Sequence, residues 1–404
     1  MLTSIKFNVI IPTRERADTL FHCLRTVVAQ DYENLSIIVS DNFSQDNTKE
    51  IVDSFADHRI KYINTGKRVS MSHNWEFALS HVMDGWVMFL GDDDGLYPWA
   101  LQTLNKNIQE YNVEAVSSTF GFFLWPGHFG YSLDGHLSIP LTTSVKLKRS
   151  RREIERVFSK GLSNTKLPWL YLGGAASIHL INRARDQNGR FFCSQIPDIY
   201  SAVALSFVVD KYLVIETPIV INGASKHSNG NAQMLPEVGN DEQPFLRFKS
   251  EDNIPFNKTL ILGKSLQVIL YECYLQAWHI HHGALGISLN DQLHIAIKVA
   301  PSEQLKDIQE ECRMIATKNG FTFVEKVIPW KYKFRKLLSF MKRAFLDINI
   351  NPRQLNIVNV YDAVMASAYI YNFLQKAFCG VVLARVISFI RYSFWKIKRV
   401  TKKN

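Results

Sequence analysis

The chain has 404 residues, of which 47% are hydrophobic and 21% are charged. This length allows two or three domains, and the composition is that of a globular protein rather than a disordered or fibrous one. We expect no secretory signal, because residues 1–11 lack a basic segment followed by a long apolar run. We expect no spanning helix, because no uncharged apolar stretch reaches about 18 residues. The five cysteines are far apart and form no CxxC pair, which favours free thiols in a reducing cytosol.

The net charge of +10 is concentrated at the C-terminal end of the chain. Residues 326–404 carry 16 lysines and arginines against two acids, whereas residues 1–325 carry 31 basic and 35 acidic residues. This asymmetry favours a polyanionic surface as the partner of the C-terminal segment.

Apolar runs and helical patterns alternate through the first hundred residues. The predicted strands occupy 7–11, 35–39, 60–63 and 86–90. Pro12 is expected to end the first strand, and Asp18 or Thr19 to cap the helix that follows. This alternation is typical of a parallel α/β sheet with right-handed crossovers.

The strand predicted at 86–90 is followed by Gly91 and three consecutive carboxylates, Asp92, Asp93 and Asp94. An unpaired charge is costly inside a core, so the acids must lie where the strand emerges, at the sheet edge where α/β proteins bind ligands. Neighbouring like charges repel one another, and a bound Mg²⁺ or Mn²⁺ would relieve the repulsion. The alternative is a solvated acidic turn.

Thr13 and Asp41 follow two other strands of the predicted sheet. The carboxyl ends of parallel strands share one edge, so we expect both side chains to converge with the acids after residue 90 on one ligand.

The pattern is less regular beyond residue 112. Strands are predicted at 113–117, 212–215 and 219–221, and helices at 153–160, 201–208 and 304–319. Asp198 lies in or just before the first turn of one helix, where a capping role is the structural alternative to a functional one. Gly173 and Gly174 are positions where backbone could approach a ligand closely. Residues 239–258 are polar and resemble a linker.

The C-terminal segment has two amphipathic stretches. Apolar residues recur at helical spacing in 330–345 and 381–400, and basic residues fill the other positions. This pattern predicts helices that lie on an anionic membrane. The alternatives are a helical subdomain whose apolar faces pack together and, least favoured, nucleic acid, where aromatic residues would be interleaved for stacking. We therefore divide the chain into residues 1–238, 239–325 and 326–404.

Five ordered motifs make residues 5–230 resemble glycosyltransferase family 2, inverting enzymes with a GT-A fold. They are Val9 to Thr13, Ser40 to Thr48, Asn64 to Gly66 followed by Asn74, Phe89 to Asp94, and Pro197-Asp198. The resemblance implies a Rossmann-like, mostly parallel sheet flanked by helices, with a helical basic region after it. It implies transfer of a sugar from a nucleotide-diphosphate donor, most simply a UDP-sugar, to a glycan or lipid-linked acceptor. The setting would be cell-surface polysaccharide synthesis at the cytoplasmic face of the membrane, without nucleic acid.

The resemblance also implies roles for individual residues. Asp41 would contact the nucleotide base, and Asp93 would bind the Mn²⁺ or Mg²⁺ that bridges the diphosphate, with Asp92 and Asp94 as neighbours or further ligands. Asp198 would be the general base. His227 would be a second metal or phosphate ligand, or else a surface histidine. The whole predicted nucleotide-sugar site comprises Pro12, Thr13, Arg14, Glu15, Asp41, Gly66, His73, Asn74, Asp92 and Asp93.

The chain departs from the family pattern at four positions, one of which is Pro197, since the base motif frequently reads Glu-Asp where this chain has Pro197-Asp198. Gly91 stands where an aspartate is frequent, and Glu15 where an asparagine is common. His73 replaces a frequent arginine, so His73, Lys67 or Arg68 must steady the diphosphate. Two other hypotheses stay open. One is a nucleotidyltransferase, for which a glycine-rich loop with a lysine is missing. The other is a non-catalytic, membrane-bound nucleotide-binding scaffold.

Overall fold

The computed structural model describes residues 4–127, 135–226, 228, 254–326, 347–350 and 357–376. Eleven strands of the described residues form one sheet. The strands are β1 (Phe7–Thr13), β2 (Leu35–Asp41), β3 (Ile60–Asn64), β4 (Trp86–Phe89), β5 (Gly95–Leu96), β6 (Ala115–Leu124), β7 (Leu137–Pro140), β8 (Val145–Arg149), β9 (Ala175–Ser177), β10 (Lys211–Ala224) and β11 (Asp347–Ile350).

Helices pack on this sheet or on one another. They are α1 (Ala17–Val28), α2 (Thr48–Asp53), α3 (Met71–Leu79), α4 (Ala100–Tyr111), α5 (Ser150–Lys160), α6 (Ile178–Arg183), α7 (Pro197–Val208), α8 (Leu266–Gln276), α9 (Trp278–His281), α10 (Leu289–Val299), α11 (Leu305–Lys318) and α12 (Val360–Lys376). The predicted helix at 304–319 is confirmed as α11.

The order of strands is β3-β2-β1-β4-β9-β6-β7-β11, and β10 pairs with β6, β5 and β8. Strands β3, β2, β1 and β4 are parallel, whereas β9 is antiparallel to both of its neighbours. Strand β4 is buried along its whole length, as its apolar run predicts. The α/β fold class is confirmed, with a parallel half that carries the predicted motifs and a mixed half beyond β4.

Strand β1 continues through Pro12 to Thr13, so the prediction that Pro12 ends the strand is wrong. The carbonyl of Ile10 accepts a hydrogen bond from Leu90, the residue after β4, and Pro12 lies two residues further along on the same side of β1. Because β4 has ended there, the missing N–H of Pro12 leaves no ladder hydrogen bond unmade. The continuation places Thr13 opposite Asp41 at the ends of β1 and β2.

Helix α1 begins at Ala17, so Arg16 is the N-cap residue and the prediction that Asp18 or Thr19 takes this position is wrong. The Asp18 carboxylate does accept a hydrogen bond from the Thr19 N–H in the first turn at 2.9 Å. The cap comes from the next loop. The carboxylate of Asp46, 29 residues away, accepts a hydrogen bond from the Ala17 N–H at 3.0 Å. A negative charge at this position is also favoured by the helix dipole.

Several later elements are longer than the sequence pattern predicts. Strand β6 reaches Leu124, and the two strands predicted at 212–215 and 219–221 are one strand, β10, whose register with β6 shifts around Pro218. Helix α7 begins at Pro197 rather than at Ser201. A proline suits the first helical position because its φ is already helical and its missing N–H is not needed there.

Gly173 and Gly174 face protein atoms. A Cβ on Gly173 would lie 2.2 Å from Ser118 Oγ, and a Cβ on Gly174 would lie 2.2 Å from the Trp169 carbonyl oxygen. Close packing within the protein, and not approach to a ligand, therefore accounts for these two glycines.

Two elements of the predicted C-terminal tail fold onto the N-terminal part. Strand β11 pairs antiparallel with β7, and α12 packs against α1, β5 and β10. The contact with β5 is close, since a Cβ on Gly95 would lie 2.8 Å from Val364 Cγ2 and 3.1 Å from Val360 Cγ2. Neither element is predicted by the sequence pattern. The division of the chain at 238 and 325 stays a prediction.

Some predictions lie outside the described residues. These are most of the linker at 239–258, the amphipathic stretches 330–345 and 381–400, and His227. Within the described ranges, no helix combines the length and apolar composition that crossing a bilayer requires. Three of the cysteines, Cys23, Cys273 and Cys312, are buried free thiols as expected.

The contact between β5 and α12 predicts that Gly95→Ala destabilises the protein. The added methyl group would overlap Val364 and Val360, at a cost of about 1–3 kcal/mol in the free energy of unfolding. Urea denaturation of Gly95→Ala, Val364→Ala and the double variant measures this. The double variant is expected to lose less stability than the sum of the single losses, because Val364→Ala makes room for the methyl group. Strict additivity would contradict the packing described here.

Candidate functional site

We call Gly91 to Asp94 the acidic turn. Its three carboxylates point in three different directions. Asp92 points to the end of β1, where its Oδ2 accepts a hydrogen bond from Thr13 Oγ1 at 2.8 Å and its Oδ1 accepts one from Arg16 Nη1 at 2.9 Å. The Arg16 side chain is only 19% exposed, so this ion pair is largely shielded from water. The contact confirms that the ends of β1 and β4 meet.

Asp93 faces the segment after β10. Its Oδ2 accepts hydrogen bonds from Ser225 Oγ at 2.7 Å and from Ser228 Oγ, and its backbone carbonyl accepts one from Trp125 Nε1 at 3.1 Å. A Cβ on Gly223 would lie 1.8 Å from that carbonyl, so a glycine is needed where β10 passes the turn. The second carboxylate oxygen of Asp93, Oδ1, accepts no hydrogen bond from the described residues.

Asp94 is fully buried and turns back into the protein. Its Oδ1 accepts hydrogen bonds from the Gly223 N–H at 2.8 Å and from Asn222 Nδ2 at 3.3 Å, and its Oδ2 accepts one from the Gly91 N–H at 3.0 Å. The Tyr171 hydroxyl lies beside this carboxyl group and interacts with it. The bond from the Gly91 N–H to the Asp94 carboxylate thus joins the first and last residues of the turn.

The inward position of Asp94 explains the departure at Gly91. A Cβ on Gly91 would lie 2.6 Å from Asp94 Oδ2 and 2.7 Å from Tyr171 Oη. These two groups occupy the space that a side chain at position 91 would need. An aspartate at position 91 is therefore incompatible with Asp94 and Tyr171 as they are placed here.

The carboxylate of Asp41 holds the loop after β2. Its Oδ1 accepts a hydrogen bond from the Ser44 N–H at 3.0 Å, and its Oδ2 accepts hydrogen bonds from the Tyr62 hydroxyl and from Asn64 Nδ2 at 3.0 Å. Both oxygens bind protein groups, so a contact with a nucleotide base would have to share or replace one of these bonds.

Glu15 occupies a left-handed backbone position, with φ of 53°. Asparagine tolerates this conformation better than glutamate, which gives a physical reason for asparagine at this position in the family pattern. Here the Glu15 carboxylate accepts hydrogen bonds from Arg68 Nη2 at 2.6 Å and from the Gln45 N–H at 3.1 Å. The ion pair links the loop after β1 to the segment before α3. The guanidinium of Arg68 is therefore already bonded to Glu15 in this structure.

The other predicted residues lie around the ends of β1, β2 and β3. Asn74 is buried and joins α3 to β2 through two hydrogen bonds with Ser40. Gly66 is exposed, with φ of +71° and open space beside its Cα. The partly exposed residues are Pro12, Arg14 and His73.

Asp198 lies half-buried in the first turn of α7. Burial raises the pKa of its carboxyl group to about 6, although the Ile199 N–H favours the charged form. Such a carboxylate is a stronger base than a free aspartate and is still mostly ionised at neutral pH.

Tyr171 connects the acidic turn with α7 electrostatically. Burial raises the pKa of its hydroxyl well above the usual value, and the negative charges of Asp94, Asp93 and Asp198 add to the effect. The hydroxyl therefore stays protonated. Burial also raises the pKa of Asp92 to about 6, against the effect of Arg16, and raises the pKa of Asp94 well above its usual value.

No three histidine, cysteine or acidic side chains converge as a metal-binding group in the described part of the chain. Asp93 Oδ1 is one oxygen ligand of the kind that Mg²⁺ and Mn²⁺ prefer, and such ions are commonly held by one or two carboxylates together with substrate phosphates and water. The site therefore fits a divalent cation whose further ligands come from a bound diphosphate. The oxygens of Asp92 and Asp94, the other predicted ligands, are engaged by protein groups.

The sequence analysis did not identify four residues that shape this site: Arg16, Tyr171, Ser225 and Ser228. A cationic residue next to Arg14 and Glu15 in the first loop was a usable signal for Arg16. Tyr171 carries no local signal, because its contact with Asp94 depends on how residues 169–174 pack against the sheet.

The crowding at Gly91 predicts coupling between positions 91 and 94. Gly91→Ala is expected to cost about 1–3 kcal/mol in the free energy of unfolding, because the methyl group meets Asp94 and Tyr171. In an Asp94→Ala background the same substitution should cost clearly less, since one of the two obstructing groups is gone. Urea denaturation of the four proteins of this double-mutant cycle tests it. An equal cost in both backgrounds would show that Asp94 does not occupy the space beside Gly91.

Residues 8–163 match the family model described as glycosyl transferase family 2. The GalNAc(5)-diNAcBac-PP-undecaprenol beta-1,3-glucosyltransferase of Campylobacter jejuni is 37% identical over 108 residues, which cover 26% of this chain and 35% of that protein. Glycosyltransferase GlyA of Streptococcus pneumoniae is 31% identical over 138 residues, which cover 33% of this chain and 20% of that protein. The chain thus spans about a third or less of the length of these curated relatives.

Two solved structures match this chain with low structural similarity and low sequence identity. Staphylococcus aureus TarS 1–349 in complex with UDP-GlcNAc has a TM-score of 0.42 and 13% identity, covering 91% of this chain and 92% of that chain. The mannosyltransferase PcManGT from Pyrobaculum calidifontis in complex with GDP-Man and Mn²⁺ has a TM-score of 0.40 and 16% identity, covering 93% and 88%. Asp198 lies beyond the residues that the family model matches. The resemblance to glycosyltransferase family 2 in the sequence is confirmed over residues 8–163, the part of the chain that the family model matches.

Proposed function

We propose that the chain is an inverting, metal-dependent glycosyltransferase. It transfers a sugar from a nucleotide-diphosphate donor, in the first instance a UDP-sugar, to a hydroxyl of a glycan or lipid-linked acceptor in cell-surface polysaccharide synthesis. The observation that best supports the proposal is the state of Asp93, which has one carboxylate oxygen fixed by two serines and another, Oδ1, to which no described residue donates a hydrogen bond. The relative from Campylobacter jejuni, whose name includes an undecaprenol-linked diphosphate, makes a lipid-linked acceptor the first to test.

Asp93 Oδ1 would hold Mn²⁺ or Mg²⁺ against the diphosphate of the donor. Such an ion acts as a Lewis acid that neutralises the charge growing on the leaving diphosphate. Ser225 and Ser228 fix the orientation of the carboxylate through its other oxygen. Arg16 holds Asp92 away from Asp93, which keeps the two acids from competing for one position.

Asp198 would act as general base. It takes the proton of the acceptor hydroxyl while that oxygen attacks the anomeric carbon of the donor sugar, and the bond from this carbon to the diphosphate oxygen breaks. Attack from the face opposite the leaving group inverts the configuration. A base with a pKa of about 6 suits this role, because it is ionised at neutral pH and binds a proton more tightly than an ordinary aspartate.

The nucleotide would lie at the ends of β1, β2 and β3. Asp41 and Asn74 bind protein groups in this structure, so their part is to hold the loops that contact the nucleotide. The residues proposed to line this part of the site are Pro12, Thr13, Arg14, Glu15, Gly66 and His73. We place the enzyme at the cytoplasmic face of the membrane, with the basic C-terminal segment on anionic lipid.

Substitution of the two central acids tests the proposal. Asp198→Ala is expected to lower the transfer rate by about 10²–10⁴-fold, the usual contribution of a general base, while donor binding is retained. Asp93→Ala is expected to lower it by roughly 10²-fold or more and to weaken Mn²⁺-dependent donor binding. Radiolabelled transfer and donor hydrolysis across UDP-, GDP- and dTDP-sugars provide the readout. Asp84→Ala, which removes an exposed aspartate paired with Lys6, is the matched control.

An active Asp93→Ala/Asp198→Ala double variant would refute this assignment. Calorimetry of nucleotide binding with and without Mn²⁺ separates the proposal from a non-catalytic scaffold, for which no metal-linked binding is expected. Release of diphosphate from a nucleoside triphosphate would instead favour a nucleotidyltransferase.

The raised pKa of Asp198 predicts the pH dependence of transfer. The active form of the base is ionised, so kcat/KM should be constant above about pH 7 and fall as the pH drops through about 6. Asp92 titrates in the same range, and Asp92→Asn therefore serves as the control. If the acidic limb is retained in Asp92→Asn, it belongs to Asp198. If it disappears, the limb reports Asp92, and Asp198 is not the titrating base.

A further inference from the structure

A short series of hydrogen bonds joins helix α7, which carries Asp198, to the strand before the acidic turn. The Oγ of Ser201 donates a hydrogen bond to the Asp198 carbonyl at 2.7 Å and accepts one from the Leu170 N–H at 3.1 Å. The carbonyl of Leu170 in turn accepts a hydrogen bond from the Phe89 N–H at 2.6 Å. Ser201 therefore connects the backbone of the proposed base with the last residue of β4.

These groups are closed off from solvent. Ser201, Leu170 and Phe89 are all fully buried. The Ser201 hydroxyl acts as donor and acceptor at once, and both of these bonds are made to the protein backbone. A substitution that removes this hydroxyl leaves the Leu170 N–H without its acceptor in a place that water does not reach.

The position of Leu170 also matters to the acidic turn itself. The next residue, Tyr171, lies beside Asp94, since a Cβ on Gly91 would lie 2.7 Å from Tyr171 Oη and 2.6 Å from Asp94 Oδ2. A shift of Leu170 would therefore affect β4 through Phe89 and the acidic turn through Tyr171. The bond from the Leu170 N–H to Ser201 extends this arrangement to α7.

Ser206 of the same helix provides a comparison. It is also buried, and its Oγ donates a hydrogen bond to the Ala202 carbonyl, four residues earlier, at 2.7 Å. This is the local bond that serine commonly makes inside a helix. The hydroxyl bond of Ser206 stays within α7, whereas that of Ser201 reaches Leu170 in another segment.

We propose that Ser201 is a positioning residue of the transfer reaction, which sets the place of Asp198 relative to the acidic turn. Because Ser201 is fully buried, it does not touch the substrate and acts through Asp198. Catalytic groups must be placed accurately, since a displacement of about 1 Å can lower a rate by roughly 10²-fold. The bonds through Leu170 hold α7 against β4, so the base and the acids that follow β4 keep one separation. The inference rests on the glycosyltransferase function proposed above.

The test compares Ser201→Ala with Ser206→Ala in the full chain. Ser201→Ala is expected to lower kcat for sugar transfer by about tenfold or more, while the KM for the donor changes by less than about twofold. Ser206→Ala should keep the kcat of the unmodified protein. Hydrogen exchange of a peptide that contains Leu170, measured by mass spectrometry, should become faster in Ser201→Ala but not in Ser206→Ala.

A double-mutant cycle separates positioning from a general loss of stability. If Ser201 acts through Asp198, Ser201→Ala should change the residual rate of the Asp198→Ala variant by less than about twofold. Ser201→Cys, which keeps a weaker donor and acceptor, should have a kcat between those of the unmodified protein and Ser201→Ala, and it replaces Ser201→Ala in the cycle if the alanine variant does not fold.

Two results would overturn the role of Ser201. One is the same kcat in Ser201→Ala and Ser206→Ala, and the other is an equal loss of rate in the native and Asp198→Ala backgrounds. Failure of the proposed function is a different result, in which the unmodified protein neither transfers nor hydrolyses the donor. Hydrogen exchange at Leu170 still tests the contact with Ser201 in that case, because its measurement does not depend on activity.

Discussion

Three consecutive carboxylates at the end of a fully buried strand are the constraint on which the site depends. Held side by side they would repel one another, and the chain separates them by giving each a different partner. Asp92 pairs with Arg16, Asp93 binds the serines after β10, and Asp94 closes the turn on itself. The hydrogen bonds of these three acids connect the end of β4 to β1 and to β10.

Asp93 Oδ1 is the carboxylate oxygen of the turn to which no described residue donates a hydrogen bond, and it is the oxygen that we propose for a ligand. A site with Asp93 Oδ1 as its protein ligand binds a cation weakly by itself and more tightly when a diphosphate is present, because most of the ligands come from the diphosphate. Cation and donor would therefore bind together. The described residues contain no preformed cluster of metal ligands, and the site proposed here needs none.

The parallel half of the sheet could be predicted from sequence because its signals are local. Each strand is an apolar run, and each polar loop follows directly, as at Thr13, Asp41 and the acidic turn. The contacts that define the site are not local. The Asp46 cap, the Ser225 contact with Asp93 and the Tyr171 contact with Asp94 join residues far apart in the chain, and no pattern within one segment specifies them. Pro12 was misinterpreted for the same reason, since the outcome depends on where a neighbouring strand ends.

The packing of α12 against Gly95 has a consequence for the order in which the molecule is built. Ribosomal synthesis is vectorial, and at roughly 5–20 residues per second the interval between Gly95 and Val364 takes on the order of half a minute. During that interval the nascent chain already contains the parallel half of the sheet, but the surface behind the acidic turn that α12 covers is still exposed to water. This contact cannot form before α12 has been synthesised, so loss of α12 affects the packing behind the acidic turn as well as the C-terminal segment.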